Sequence, residues 1–309
     1  MELLNEELVA RLYYHMKPFI PRRVQLGLRS LVARQKRFAH RGDWPIDQTA
    51  AAAPPGFFGW PDGKRFALVL THDVDTARGV ARCQPLMELE MEAGFRSSFN
   101  FVARDYYLPA DFRRRLAAEG FEVGVHGLEH GRQLYESAAA FAEHARGINR
   151  CLADWNAVGF RSPCMYHNFD WLHALEIKYD ASSFDTDPFE PQSDGVSTIY
   201  PFYHRQADGE GYVELPYTLP QDFTVFVLFA EQDIEIWKRK LAWLAEWGGM
   251  ALLITHPDYM SFDHPPCFDE YPAERYRELL THLTTRYQGE FWHPLPREMA
   301  AFWKEQVVG

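Results

Sequence analysis

Residues 68–80 read LVLTHDVDTARGV. An apolar run suited to a buried strand stops abruptly at His72-Asp73-Val74-Asp75. Charge at the end of a buried strand is costly unless it is solvated, paired or bound to a metal. The two acids therefore need a partner, and the rest of the chain has to supply it.

Working outward, the stretch is the first unit of a repeating alternation. RFALVLTH (65–72) reads as a strand and is followed by a helix over 78–93. Strands are expected at 96–103, 121–127, 157–163, 176–184, 212–219 and 250–257. Helices are expected near 109–119, 135–155, 169–176, 231–247, 272–287 and 296–306. Alternating β and α units argue for a parallel sheet covered by helices. About seven units over the available length favour closure into a deformed (β/α) TIM-like barrel, with a doubly wound open sheet as the alternative. The fold class is thus α/β, with an N-terminal helical arm.

The expected division is a basic helical arm over 1–42, a linker over 43–63 and the barrel over 64–309. The arm holds nine of the 32 Lys and Arg residues but only three of the 43 acids. Its segments 3–16 and 22–38 look helical, broken at Pro18 and Pro21. The second, RRVQLGLRSLVARQKRF, either packs on the body with its charges solvated or rests as a basic amphipathic segment on an anionic membrane. Residues 41–63, containing AAAAPPGFFGWPDG, are rich in Ala, Pro and Gly and read as a linker.

A formal net charge of −11 argues against nucleic acid as a partner. Cys83, Cys151, Cys164 and Cys267 are far apart, with no CxxC, which fits a reducing compartment. The opening residues MELLNEELVARLYY carry acids where a secretory leader carries base. The expected location is the cytoplasm, with the arm peripheral to the inner face of the membrane. Oligomeric state is not indicated.

Reactive side chains recur where the expected strands end: His72, Asp73 and Asp75, then His126 and His130, then Arg161, then His256. In a parallel α/β barrel these ends share one rim, where active sites are built. Residues i and i+2 of an extended chain point the same way, so Asp73 and Asp75 share a face. One can bind a metal while the other contacts the metal's water. His126-Gly-Leu-Glu-His130 brings two imidazoles, and two His plus one carboxylate leave positions open for water and substrate. HGLEH also matches the HxxEH pattern of inverted zinc proteases, with Glu129 as base. That pattern belongs inside a helix, whereas FEVGVHG has strand character and Gly127 is a poor interior helix residue.

Taken together these segments resemble the NodB-type polysaccharide deacetylases, carbohydrate esterase family 4, over about residues 65–300. The first motif of that family, close to T-F-D-D-G, stands here as Thr71-His72-Asp73-Val74-Asp75. The second, H-x-x-x-H, is His126 to His130. The third, R-x-P-aromatic, is Arg161-Ser162-Pro163-Cys164, and the fifth, L-x-H, is Ile254-Thr255-His256.

The resemblance implies a deformed barrel with a divalent metal, most commonly Zn, with Co, Ni, Mn or Fe as alternatives. It implies Asp75, His126 and His130 as ligands and Asp73 as the base that activates water at the metal. Arg161 orients Asp73, and His256 is the acid that protonates the leaving amine. The fourth motif is indistinct: Asp180, Asp185 and Asp187 all stand in YDASSFDTDPFEP, and Asp187 is the preferred support for His256. Val74 displaces the metal acid by one place, and Cys164 replaces an aromatic. The implied activity is hydrolysis of an N-acyl group, N-acetyl first, from an amino sugar or glycan precursor. Alternatives are a deformylase or small cyclic-amide amidohydrolase on the same fold, a non-catalytic sugar-binding protein, or the inverted-zincin protease. His72 should face away from both acids and pack or hydrogen-bond.

Overall fold

The computed structural model describes residues 20–207 and 209–308. The expected segment 3–16 lies outside them. The sheet is seeded by β1 (Phe66–Val74), which is buried along its whole length. β2 (Ser98–Phe101), β3 (Glu122–Val125), β4 (Gly159–Phe160) and β5 (Tyr179–Asp180) follow in order, each parallel to the last. β6 (Phe202–Arg205) and β7 (Gly211–Glu214) form an antiparallel hairpin whose second arm pairs in parallel with β5. β8 (Met250–Thr255) returns to the free edge of β1. The chain beyond β7 closes the ring: Tyr217 bridges to Phe184, and Leu219 bridges to Leu253 on β8. Seven parallel staves thus make the deformed α/β barrel that the alternation predicts.

Helices cover the outside: α1 (Arg22–Ala39), α2 (Ala77–Ala93), α3 (Ala110–Ala118), α4 (Ala138–Trp155), the short α5 (Phe169–Leu172), α6 (Glu235–Trp247), α7 (Glu274–Arg286) and α8 (Pro296–Val308). Local signals set several ends. The Thr76 side chain caps α2 by accepting from Arg78 N, and Gly94 stops it at φ +81°. Ser137 caps α4, and Asn156 in the left-handed region ends it. Three two-residue strands were not expected from sequence: β9 (Met260–Ser261) pairs with β10 (Tyr271–Pro272), and β11 (Phe291–Trp292) pairs with the start of β1.

The stretch 43–63, expected as a linker, instead adds Trp44, Ala50, Ala51 and Trp60 to the hydrophobic core. At the end of the barrel where β1 begins, Trp60 lies among Phe57, Tyr200, Trp292, Phe302 and Trp303. Its Nε1 donates to Gly248 O at 2.7 Å. This aromatic floor closes one end and leaves the C-terminal rim as the open one.

The helix α1 packs against the body near that rim. Gln25, Leu26 and Ala33 are buried, Lys36 Nζ donates to Pro188 O at 2.7 Å, and Arg37 pairs with Glu231 at 2.6 Å. Its opposite side exposes Val24, Leu28, Leu31, Val32 and Phe38.

Candidate metal centre and active site

The pleat of β1 sorts its polar residues. Asp73 pairs in register with Asn100, and Asn100 with Gly124, on the inner side of the barrel. Asp73 Oδ1 accepts from Asn100 Nδ2 at 2.9 Å and from Arg161 Nη1 at 3.1 Å. A Cβ on Gly124 would lie 2.1 Å from Asn100 Oδ1, so only glycine leaves room for that asparagine. Arg161 is almost fully buried and is itself fixed by Thr71 Oγ1 and Ala181 O, each 2.7 Å away. Burial opposes the charged form of Asp73. Arg161 above all, with smaller help from His126, His256 and Asn100, holds its pKa below the ordinary carboxylate value.

Asp75 sits two residues on. Its backbone N donates to Asp258 Oδ2 at 3.0 Å. Its Oδ1 lies 3.3 Å from His130 Nε2 and 3.5 Å from His126 Nε2, and it is buried without a hydrogen-bond partner. His126 leaves the end of β3, and Gly127 at φ +78° turns the chain so that His130 comes back toward it. HGLEH is therefore a strand end and a turn. Glu129 points to Arg104 at 3.1 Å and His144 at 3.8 Å, which removes the structural basis of the protease reading. His126 Nδ1 bonds to the Arg161 carbonyl at 2.9 Å, which fixes the tautomer whose Nε2 lone pair faces Asp75.

One atom from each of Asp75, His126 and His130 falls within 4.8 Å of the others. A buried carboxylate oxygen without a donor, facing two imidazole nitrogens, is the arrangement a cation completes. Burial keeps His130 below its ordinary pKa, in the neutral form a ligand needs. Burial acts the same way on His126, but Asp73 and Asp75 outweigh it and draw a proton there. A proton and a metal compete for that place. The donor set fits Zn, Co, Ni, Mn or Fe.

His256 follows β8 on the far side of the same cavity, of about 120 Å³, which Asp73, Asp75, His126 and His130 also line. Its partner is Asp222, a correction to the expected Asp187. His256 Nδ1 lies 2.7 Å from Asp222 Oδ1, and His256 N donates to Asp222 Oδ2 at 2.7 Å. Tyr271 Oη donates to the same oxygen at 2.8 Å. Burial would lower the pKa of His256, but the Asp222 carboxylate and its hydrogen bond overcome this and push it up to about 10.

Asp187 instead accepts from Phe189 N at 2.9 Å and Tyr217 Oη at 2.8 Å. Asp185 pairs with Lys240 and Asp180 accepts from Ser182. Asp222 carried a signal in the sequence: it stands three residues beyond the expected strand 212–219, at the same rim as the other site residues. Cys164 also lines the cavity, brought there by a left-handed turn at φ +56°. Phe189, Phe223 and Tyr259 also line the cavity, the last two with their rings 4.9 Å apart.

The barrel is the NodB-type fold of the polysaccharide deacetylases, reached also by an allantoinase. A protein from Mycobacterium smegmatis assigned as a polysaccharide deacetylase superposes with a TM-score of 0.61 at 20% identity, over 82% of this chain and 94% of that one. PuuE allantoinase superposes at 0.64 and 14% identity, over 86% of this chain and 99% of that one. A protein from Pseudomonas aeruginosa PAO1, likewise assigned as a polysaccharide deacetylase, gives 0.60 and 14%, over 81% and 94%. No protein-family model matches the chain, and no curated protein matches it. At these identities the likeness defines the fold, and the function has to be argued from the site.

Proposed function

We propose that this protein is a metal-dependent hydrolase that removes an N-acyl group, N-acetyl first, from an amino sugar or glycan precursor. The observation that carries the reading is the unpartnered Asp75 Oδ1 facing His126 and His130, in one cavity with Asp73 and His256. A divalent ion held by Asp75, His126 and His130 supplies Lewis acidity and a water of lowered pKa.

The remaining steps belong to the chain's own residues. Asp73, kept ionised by Arg161 and Asn100, accepts the proton of the attacking water. His256, kept protonated by Asp222, gives its proton to the nitrogen as the C–N bond breaks. The acyl group leaves as a carboxylate and the sugar as an amine. Arg161 and Asn100 orient the base, and Tyr271 steadies Asp222. The test is release of acetate from N-acetylated amino sugars by the metal-loaded protein; a protein that binds its metal and releases no acyl group from any of them would overturn the reading.

The superposition on PuuE allantoinase supports a second reading, a deformylase or cyclic-amide amidohydrolase using the same residues. Acetate, formate and allantoin assays run in parallel separate the two. A non-catalytic sugar-binding role has less support, because the Asp73–Arg161 and His256–Asp222 pairs are both formed.

The outward face of α1 supports a peripheral location. Val24, Leu28, Leu31 and Phe38 form an exposed apolar stripe, with Arg23, Arg34 and Arg41 beside it. This chemistry matches an anionic lipid surface. No helix among the described residues is long and apolar enough to cross a membrane. Flotation with phosphatidylglycerol-containing vesicles but not with phosphatidylcholine alone is expected, and Leu28→Asp with Leu31→Asp should abolish it. Equal behaviour on both vesicle types would count against this location.

A further inference from the structure

The catalytic cavity opens outward into a larger one of about 610 Å³. The two share Arg29, Asp75, His130, Cys164 and Tyr259, so a molecule reacting beside Asp73 extends into the outer space. Arg22, Arg29, Arg78 and Arg132 stand in its wall. Arg78 is accounted for by Asp269 at 3.3 Å and Glu270 at 3.6 Å. Arg22 and Arg29 form no ion pair among the described residues.

Their placement is set by the fold. They are seven residues apart on α1, two turns and roughly 10 Å along one face. That face is the docked one, which buries Leu26 and Ala33. Arg29 is further held with its guanidinium carbon 4.8 Å from the centre of the Phe223 ring. The nearby acids are committed elsewhere. Asp75 faces the imidazoles, Asp258 accepts from Asp75 N and Thr76 Oγ1, and Asp269 takes Arg78. Glu190, in the inner cavity, is bound by Gln221 and Tyr217. Burial first, then the charge of Asp187, pushes its pKa up to about 8, against the opposing pull of Tyr217, Arg29 and His256. In a chain of net charge −11, two guanidinium groups without an ion pair among the described residues, beside a reaction centre, are a local feature.

We propose that Arg22 and Arg29 form a subsite for a phosphate or diphosphate group carried by the acylated substrate. Guanidinium groups bind phosphate oxygens through paired, charge-assisted hydrogen bonds. The inference rests on the N-acyl hydrolase reading and narrows it: the substrate is a phosphorylated sugar precursor and not a neutral polymer. A nucleoside diphosphate and a lipid diphosphate present the same group to these arginines.

The test uses the metal-loaded full chain. Binding is measured by calorimetry on Asp73→Asn with N-acetylglucosamine, its 1-phosphate, its uridine diphosphate derivative and a short-chain polyprenyl diphosphate derivative. Phosphorylated probes should bind at least about tenfold more tightly than the neutral sugar and weaken with added salt. Arg22→Gln with Arg29→Gln should remove that preference, and Arg29→Lys should retain part of it. Whichever diphosphate probe binds more tightly identifies the natural carrier. Equal binding of neutral and phosphorylated probes, or a preference that survives the double substitution, overturns the subsite. Acyl release is followed separately on the unsubstituted protein. No release from any probe, with an arginine-dependent preference intact, sinks the hydrolase reading and leaves the subsite standing.

Discussion

Two histidine–acid clusters meet at β1, one just beyond its C-terminal end at the rim and one on its outer face. The rim cluster joins Asp75 to His126 and His130. The outer one joins His72 to Glu90: His72 Nε2 lies 3.0 Å from Glu90 Oε1 and its Nδ1 lies 2.7 Å from Thr255 Oγ1. Ser97 Oγ donates to Glu90 Oε2 at 2.6 Å, and Tyr276 Oη donates to Oε1. Residue types are alike, but depth and hydrogen bonding differ: the His72 and Glu90 side chains are fully buried, whereas those of Asp75 and His130 are 11% and 28% exposed. Each side-chain nitrogen and oxygen of His72 and Glu90 has a partner, whereas Asp75 Oδ1 has none. A buried polar group that is satisfied holds structure together; an unsatisfied carboxylate oxygen that faces two imidazoles suits a cation. His72 thus takes the hydrogen-bonding role that strand alternation assigns it.

The comparison breaks most severely at Asp73. Asp73→Asn should lower turnover by about 10²–10⁴-fold, while metal analysis still finds the ion. Loss of the metal in that variant would show that Asp73 is a ligand and not the base. On the outer face, Glu90→Leu strands three donors and should cost about 3–5 kcal/mol in chemical denaturation, with kcat of the folded remainder unchanged. A drop in kcat there would erase the distinction between the two clusters.

Smaller effects follow from ions and protons. Zinc at about 100 times its Kd should stabilise the protein by about 2.7 kcal/mol, and Asp75→Ala with His126→Ala should lose that gain. Glu90 is an acid whose pKa is held below 4.5: burial opposes this, and His72 and the hydrogen bonds prevail. Its contribution to stability is therefore full above about pH 4.5 and lost as pH falls through the folded value. Glu90→Gln should flatten that acid limb. His256 gives the opposite sign. Its pKa is raised, so its protonated form persists into alkaline solution and is lost as pH rises through the folded value. Asp222→Asn should move the alkaline limb of the activity profile to lower pH; an unmoved limb would exclude His256 as the proton donor.

Much of this was legible in the sequence. The seven staves follow from apolar runs separated by helical segments, because a parallel strand buried on both faces needs an unbroken apolar stretch. Asp73, Asp75, His126, His130, Arg161 and His256 follow from the rule that strand ends meet at one rim. The partner of His256 did not, because an acid-rich loop offered Asp180, Asp185 and Asp187 while the solitary Asp222 stood elsewhere. Proximity across a barrel depends on closure between the chain after β7 and β8, which no local pattern encodes. Composition also misled at 43–63: Pro and Gly suggest a linker, but Trp44 and Trp60 in the same stretch are large apolar anchors. The seating of α1 beside the rim is another long-range contact, invisible to periodicity.

The aromatic floor has an optical consequence. Three of the nine tryptophans, Trp60, Trp292 and Trp303, gather at the closed end, and none among the described residues lines either cavity at the open end. These three report on the floor, whereas Trp44 packs edge-on at 5.0 Å against Phe189, which lines the catalytic cavity. Phe223→Trp, placed under Arg29, would give the mouth a reporter of its own.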